Sequence, residues 1–199
     1  MLPLLEVASP LDLAALWRLE FLTGDDIAAI CMRWLEDDLD GGDPDIAAFA
    51  GRTDLTIGEA GPQFERALNS LVGRQVDREE AILRGLRTHL AAALQDDHLM
   101  EGVRLAVERF ASLDESRLVR HPRRATDHPD GVYAEENLGL EYVYGSFYAF
   151  DDIVALPAAE QAALRETLKR GLREDVLELH DHLARLLDER AAGVQSVES

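Results

Sequence analysis

Apolar side chains recur at helical spacing along almost the whole chain, and this periodicity constrains the fold more than any other feature. The first clear group follows the spacing i, i+3, i+4, i+7 and i+8, which places its members on one helix face: Ile27, Ile30, Cys31, Trp34 and Leu35. No segment of the sequence combines sustained apolar–polar alternation with β-branched residues, the pattern typical of strands. The periodicity therefore predicts an all-α protein.

Helix start and stop signals divide this periodic sequence into separate helices. Asp43 followed by Pro44 is typical of an N-cap and a first helical position, and Gly51 provides a stop. Pro62 is expected to open the next helix, and Pro157 to open the last. The last helix carries the clearest apolar stripe: Leu164, Leu168, Leu172, Val176, Leu179, Leu183 and Leu186. We predict a single-domain bundle of about seven to nine helices over residues 1–191, with a frayed tail at 192–199.

One segment, residues 116–135, interrupts the helical pattern. It contains Pro122, Pro129 and Gly131, and it cannot form one helix. Long loops in compact domains are often functional or disordered, so the segment is predicted to be a long proline-containing loop. It also contains the only strongly basic patch of the sequence: Arg117, Arg120, His121, Arg123 and Arg124.

The charge and the single cysteine bound the class of protein. The 199 residues include 39 acids and 20 lysines and arginines, for a formal charge of −19, which argues against nucleic acid or an anionic membrane as the partner. Residues 1–10 have no basic region of the kind that opens a secretory signal, and no apolar run reaches the roughly 20 residues that cross a bilayer. Cys31 cannot form an internal disulfide. A cytoplasmic location is therefore expected.

The acidic residues are concentrated in two blocks. Residues 20–45 contain nine acids and one base, and residues 127–152 contain seven acids with no lysine or arginine. The second block also holds all four tyrosines of the chain. On a helix, five of its residues share one face at spacings of i, i+3, i+7, i+10 and i+11: Glu141, Tyr144, Tyr148, Asp151 and Asp152.

Two interpretations of this face remain open at the level of sequence. Its carboxylates could pair with the arginines of the 116–135 loop and hold that loop against the bundle, since buried carboxylates need partners. Alternatively, the five residues form an exposed site for a basic protein, because tyrosines anchor interfaces and charge speeds encounter. The second interpretation predicts a non-enzymatic binding protein, of which an immunity or antitoxin-type inhibitor is the most concrete form. Self-association is left open.

The sequence contains no recognisable catalytic motif. HExxH is absent, Ser146 lacks the GxSxG elbow, and His180 and His182 point about 200° apart on a helix, too far to share one ion. The alternative enzymatic function is a metal-dependent hydrolase that uses the carboxylates of Glu141, Asp151 and Asp152, which suit a hard divalent cation. The leading hypothesis assigns no catalytic residue, no metal ligand and no cofactor.

A short stretch resembles a pattern of small uncharacterised bacterial all-helical proteins. The resemblance consists of Trp34–Leu35, then Gly42–Asp43–Pro44, and then a helix that ends in Ala50–Gly51. It covers less than a fifth of the chain, and its residues are a core tryptophan, a cap and a stop. The resemblance implies a bacterial source and a helical fold, and it implies no function.

Overall fold

A computed structural model describes residues 4–39, 41–95, 98–110, 113 and 139–195. Every regular element in these ranges is an α-helix and none is a strand, so the all-α prediction is confirmed. Nine helices are described there, numbered here in chain order: α1 (Leu4–Val7), α2 (Pro10–Arg18), α3 (Gly24–Glu36), α4 (Pro44–Phe49), α5 (Ile57–Val72), α6 (Arg78–Ala93), α7 (Leu99–Phe110), α8 (Glu141–Asp152) and α9 (Ala158–Gln195).

The helix starts follow local capping chemistry. Ser9 and Thr23 each form a capping box with an aspartate three residues later, and each side-chain oxygen accepts a hydrogen bond from that aspartate's backbone N–H. Asp43 caps α4, with Pro44 at the first helical position, as the sequence predicts. These caps satisfy backbone donors that have no partner inside the helix.

The predicted role of Pro62 is wrong. Pro62 lies inside α5, which begins at Ile57 after the N-cap Thr56. The Thr56 hydroxyl accepts a hydrogen bond from the Glu59 N–H, at 3.3 Å, and this cap fixes the helix start. A proline at this position removes one hydrogen bond to the carbonyl of Gly58, and because Gly58 is exposed, water can reach that carbonyl.

Residues 5–85 form one compact unit, and its core is built around aromatic side chains. Trp34 is fully buried on α3 and stacks on Phe64 of α5, with ring centroids 5.6 Å apart and planes 11° apart. Trp17 of α2 meets Phe64 edge-on at 5.4 Å. Gly61 permits this contact, because a Cβ there would lie 3.1 Å from the Trp17 ring. The aromatic cluster thus packs α2 and α3 against α5.

The described residues from 86 to 195 form the second unit, together with Leu4, and here α8 packs on α9. Four residues of the predicted α9 stripe are fully buried: Leu172, Val176, Leu179 and Leu183. The stripe does not extend as far as predicted, because Leu164 is 39% exposed and no residue from 158 to 171 is buried. The first fourteen residues of α9 therefore lie outside the core.

Three predictions concern segments that the structure does not describe or describes only in part. The 116–135 loop, including its arginines, lies outside the described residues. Helix α9 continues to Gln195, and residues 196–199 lie outside the described part as well. The single domain over residues 1–191 stays a prediction. Among the described helices, none is both long and apolar enough to cross a membrane.

Candidate functional site

Helix α8 has a buried side and an exposed side. Val143 and Phe150 are seven residues apart, which is close to two helical turns, and both are buried. On the opposite side Gly145, Tyr148 and Asp152 are exposed, with spacings of three and four residues. Packing of the apolar side against α9 thus leaves Tyr148, Asp151 and Asp152 exposed at the surface.

Two tyrosines form a stacked pair on this exposed side. The rings of Tyr144 and Tyr148 are 5.9 Å apart between centroids and 3° from parallel, and Phe147 meets Tyr148 edge-on at 5.6 Å. Tyr148 is 52% exposed, whereas Tyr144 is half-buried. Burial, and to a smaller extent Tyr148, raises the pKa of Tyr144 above its ordinary value. The Tyr144 hydroxyl therefore keeps its proton at neutral pH and remains a hydrogen-bond donor.

Two exposed aspartates lie in the last turn of the same helix. Asp151 and Asp152 close α8, and no basic residue accompanies them in that turn. The C-terminus of a helix carries the negative end of its dipole, so an acid there destabilises the helix by about 0.3–1 kcal/mol. The whole stretch from residue 139 to residue 164 lacks lysine and arginine. We call the surface formed by Tyr144, Tyr148, Asp151 and Asp152 the tyrosine–aspartate face.

The carboxylate of Glu141 is buried, so Glu141 is not part of this face. It shares the helical angle of the other four predicted residues, but both of its carboxylate oxygens are buried. Its side chain is therefore not available at the surface in the way that the Asp151 and Asp152 carboxylates are. The spacing rule predicted the angle of Glu141 correctly, and it carries no information about what covers a given turn.

The metal-site alternative has no cluster of ligands to support it in the ranges that the structure describes. No group of three or more His, Cys, Asp and Glu side chains there could hold a metal ion. Glu141 and Asp151 are ten residues apart on one helix, which separates them by about 15 Å along its axis. A single ion bound by both would require ligand distances near 2.5 Å, so the three carboxylates do not form one site.

Cys31 and His89 are both buried, and neither has the surroundings of a reactive side chain. Burial, followed by the negative charge of Asp43, raises the pKa of the Cys31 thiol to about 12, so the thiol stays protonated and unreactive at neutral pH. His89 is 1% exposed and meets Phe110 edge-on at 5.2 Å. The Arg109 guanidinium lies 3.0 Å from His89 Nε2 and donates to it, which requires a neutral imidazole. Neither residue is placed as a nucleophile or a general base.

The unit of residues 5–85 contains a cavity that was not predicted from the sequence. It has a volume of about 410 Å³ and lies between α2, α5 and the segment that precedes α6. Its walls include Trp17, Glu20 and Glu65, which are far apart in the sequence and carry no motif. No protein-family model, curated protein or solved structure matches the chain.

Proposed function

We propose that the chain binds a basic protein through the tyrosine–aspartate face and performs no chemistry of its own. The observation that carries the proposal is the position of Asp151 and Asp152 at the negative end of α8, without a base in the same turn. This arrangement is unfavourable for the isolated helix. A lysine or arginine of a partner would be attracted by both carboxylates and by the helix terminus, so binding would offset the cost.

Tyr148 supplies the apolar anchor of the proposed interface. Tyrosine is enriched among the residues that dominate binding energy, because one rigid ring offers a large contact area. Tyr148 is 52% exposed, and its stacking on Tyr144 restricts its rotamers before a partner arrives. Less conformational entropy is then lost on binding.

The charge of the chain favours a basic partner. A formal charge of −19 attracts cationic proteins and repels nucleic acids, and electrostatic steering raises association rates. An immunity or antitoxin protein that masks the basic nucleic-acid site of a toxin is the most concrete form of this function. The tyrosine–aspartate face would then occupy the site at which the toxin binds phosphates.

Capture from the native host, with the wild type and two matched variants as bait, tests the proposal. Tyr148→Ala removes the anchor, whereas Leu177→Ala removes an exposed apolar side chain of similar exposure, 48%, from α9. We expect a protein with pI above about 9 to be retained by the wild type and by Leu177→Ala and to be lost from Tyr148→Ala. Retention of the same proteins by all three baits, or of no basic protein by any, would contradict the proposal.

Binding kinetics with the captured partner separate the anchor from the charges. Loss of a packed aromatic anchor should cost about 2 kcal/mol or more, so Tyr148→Ala should dissociate roughly 30-fold faster. Asp151→Asn with Asp152→Asn should slow association and flatten its dependence on salt, because rim charges act mainly through steering. The control is Asp37→Asn with Asp38→Asn, an exposed acidic pair at the end of α3 that gives the same change in net charge. Equal effects of the two double variants would mean that net charge alone acts.

A further inference from the structure

The cavity of about 410 Å³ in the unit of residues 5–85 has an apolar floor. Its floor is formed by buried side chains of Ala14, Leu22, Leu68 and Val76, and the half-buried ring of Trp17 forms part of its wall. The volume lies within the range of sites that enclose small molecules, about 300–1,000 Å³. Such a cavity suits a ligand with an apolar body.

Five exposed polar side chains surround the floor, and none is used by the fold. They are Arg18, Glu20, Glu65, Asn69 and Gln75. Over the described part of the chain, these side chains make no hydrogen bond and no ion pair. A second cavity differs in this respect: of its lining residues, Asp43 caps α4 and Arg66 lies 3.4 Å from Asp45. The groups around the first cavity therefore keep their hydrogen-bonding capacity for a ligand.

Glu20, which lines the cavity, adopts a left-handed backbone conformation. Glu20 has φ of 60°, in the left-handed region, and it follows Leu19, the C-cap of α2. The Phe21 N–H donates to the Leu16 carbonyl and the Glu20 N–H to the Trp17 carbonyl, each at 3.0 Å, which is the hydrogen-bond pattern of a Schellman motif. Glycine is the usual residue at the left-handed position, because a side chain there is unfavourable. The backbone conformation of Glu20 therefore costs free energy that a glycine would not cost, and the residue also lines the cavity.

The charges around the cavity favour a cation. The lining includes two carboxylates, Glu20 and Glu65, and one guanidinium, Arg18, and the chain as a whole is strongly acidic. The ring of Trp17 can also attract a cation to its face. We propose that this cavity binds a small primary amine with an apolar body. The ammonium group pairs with Glu20 and Glu65, and the body lies along Trp17 and over Leu22 and Leu68.

Three probes that share a phenyl ring on a short chain, and that differ in charge, test the ligand class. They are 2-phenylethylamine, 3-phenylpropionate and phenylalanine, which carry an amine, a carboxylate and both groups. Titration calorimetry and amide chemical-shift mapping should show that the amine binds and shifts residues around the cavity. The carboxylate should bind at least about tenfold more weakly, because it meets two like charges. Tighter binding of the carboxylate or of the zwitterion, or no binding by any probe, would overturn the proposal.

Substitutions at Glu20 separate its ligand role from its backbone strain. Glu20→Gln keeps the side-chain shape and should weaken 2-phenylethylamine binding about tenfold, because a charge-assisted contact is lost. Glu20→Gly should raise Tm. It should also weaken 2-phenylethylamine binding as much as Glu20→Gln does. Asp38→Gly is the matched control: Asp38 has φ of 55° at the end of α3, and glycine there should raise Tm without changing amine affinity. Unchanged affinity in both Glu20 variants would contradict the proposal, whatever happens to Tm.

Discussion

Ser146 of α8 donates its hydroxyl proton to the carboxylate of Asp175 on α9. Asp175 is 7% exposed, so this contact helps to satisfy a buried polar group where the two helices pack. The hydrogen bond therefore joins α8, and with it the tyrosine–aspartate face, to the buried part of α9.

Removal of this hydroxyl should destabilise the fold. Ser146→Ala deprives the buried Asp175 carboxylate of a donor, and we expect the free energy of unfolding to fall by about 1–3 kcal/mol. The matched control is Thr167→Ala, since the exposed Thr167 hydroxyl bonds only a carbonyl of its own helix, at 3.4 Å. That change should stay within about 0.5 kcal/mol. Urea unfolding followed by circular dichroism measures both; equal effects would show that the Ser146 contact adds no stability.

Two glycines in helices should respond to alanine in opposite directions. A Cβ at Gly24 would lie 1.7 Å from the Leu55 carbonyl oxygen, so Gly24→Ala must push apart the start of α3 and the segment before α5. A Cβ at Gly58 would have no atom within 4 Å, and alanine should stabilise α5 there by about 0.5–1 kcal/mol. We expect Tm to fall for Gly24→Ala and to rise for Gly58→Ala. A rise for both would show that the Gly24 contact can relax.

Arg84 lies between two buried carboxylates. Its Nε is 2.7 Å from Glu80 Oε1, and its Nη1 is 3.3 Å from Asp12 Oδ1. Arg84→Met leaves both acids without this partner, and the free energy of unfolding should fall by about 3 kcal/mol. Arg104→Met is the control, because Arg104 pairs with Glu108 at the surface and such pairs contribute less than about 1 kcal/mol. Similar losses in both variants would argue against a special role for burial.

Glu80 should make the fold sensitive to acid. Hydrogen bonding from Arg74, and secondarily from Arg84, lowers the pKa of Glu80 below its ordinary value of 4.5. The folded state thus binds fewer protons than the unfolded state, and stability present above that ordinary pKa is lost as the pH falls through the folded pKa. The free energy of unfolding should decline below about pH 5, and Glu80→Gln should flatten this decline. Glu160→Gln, at an exposed position on α9, should leave the slope unchanged.

Cys31 should report on opening of the core. Because its pKa is about 12 and its side chain is fully buried, Ellman's reagent at pH 8 should not label the native protein. Labelling should become complete in denaturant, where the thiol is exposed with an ordinary pKa. Rapid labelling of the native protein would mean that the unit of residues 5–85 opens readily around α3.

The parts of the fold that sequence predicts correctly depend on neighbours along the chain. The cap at Asp43 is specified within four residues, because a cap needs only its own helix. Pro62 was misassigned because proline was given more weight than Thr56, whose hydroxyl and the Glu59 backbone N–H form the true start of α5.

Features that depend on distant contacts could not be predicted in the same way. Helical period correctly placed Leu164 and Leu172 on one stripe, but it cannot tell which turn has a packing partner. The cavity brings Trp17 and Gln75 together from positions 58 residues apart, through packing of α2 on α5. Tyr148 of α8 needs both kinds of information: its angle on the helix follows from spacing, and its exposure follows from which side of the helix α9 covers.

The exposed first fourteen residues of α9 have a consequence for how the protein unfolds. Residues 158–171 bury no side chain, so their helix depends on intrinsic propensity, which the alanines at 158, 159, 162 and 163 supply. A short helix without packing is only marginally stable in water. Amide hydrogens in this segment should therefore exchange with solvent far sooner than those around Leu179, and one continuous helix would contain two regions that open independently.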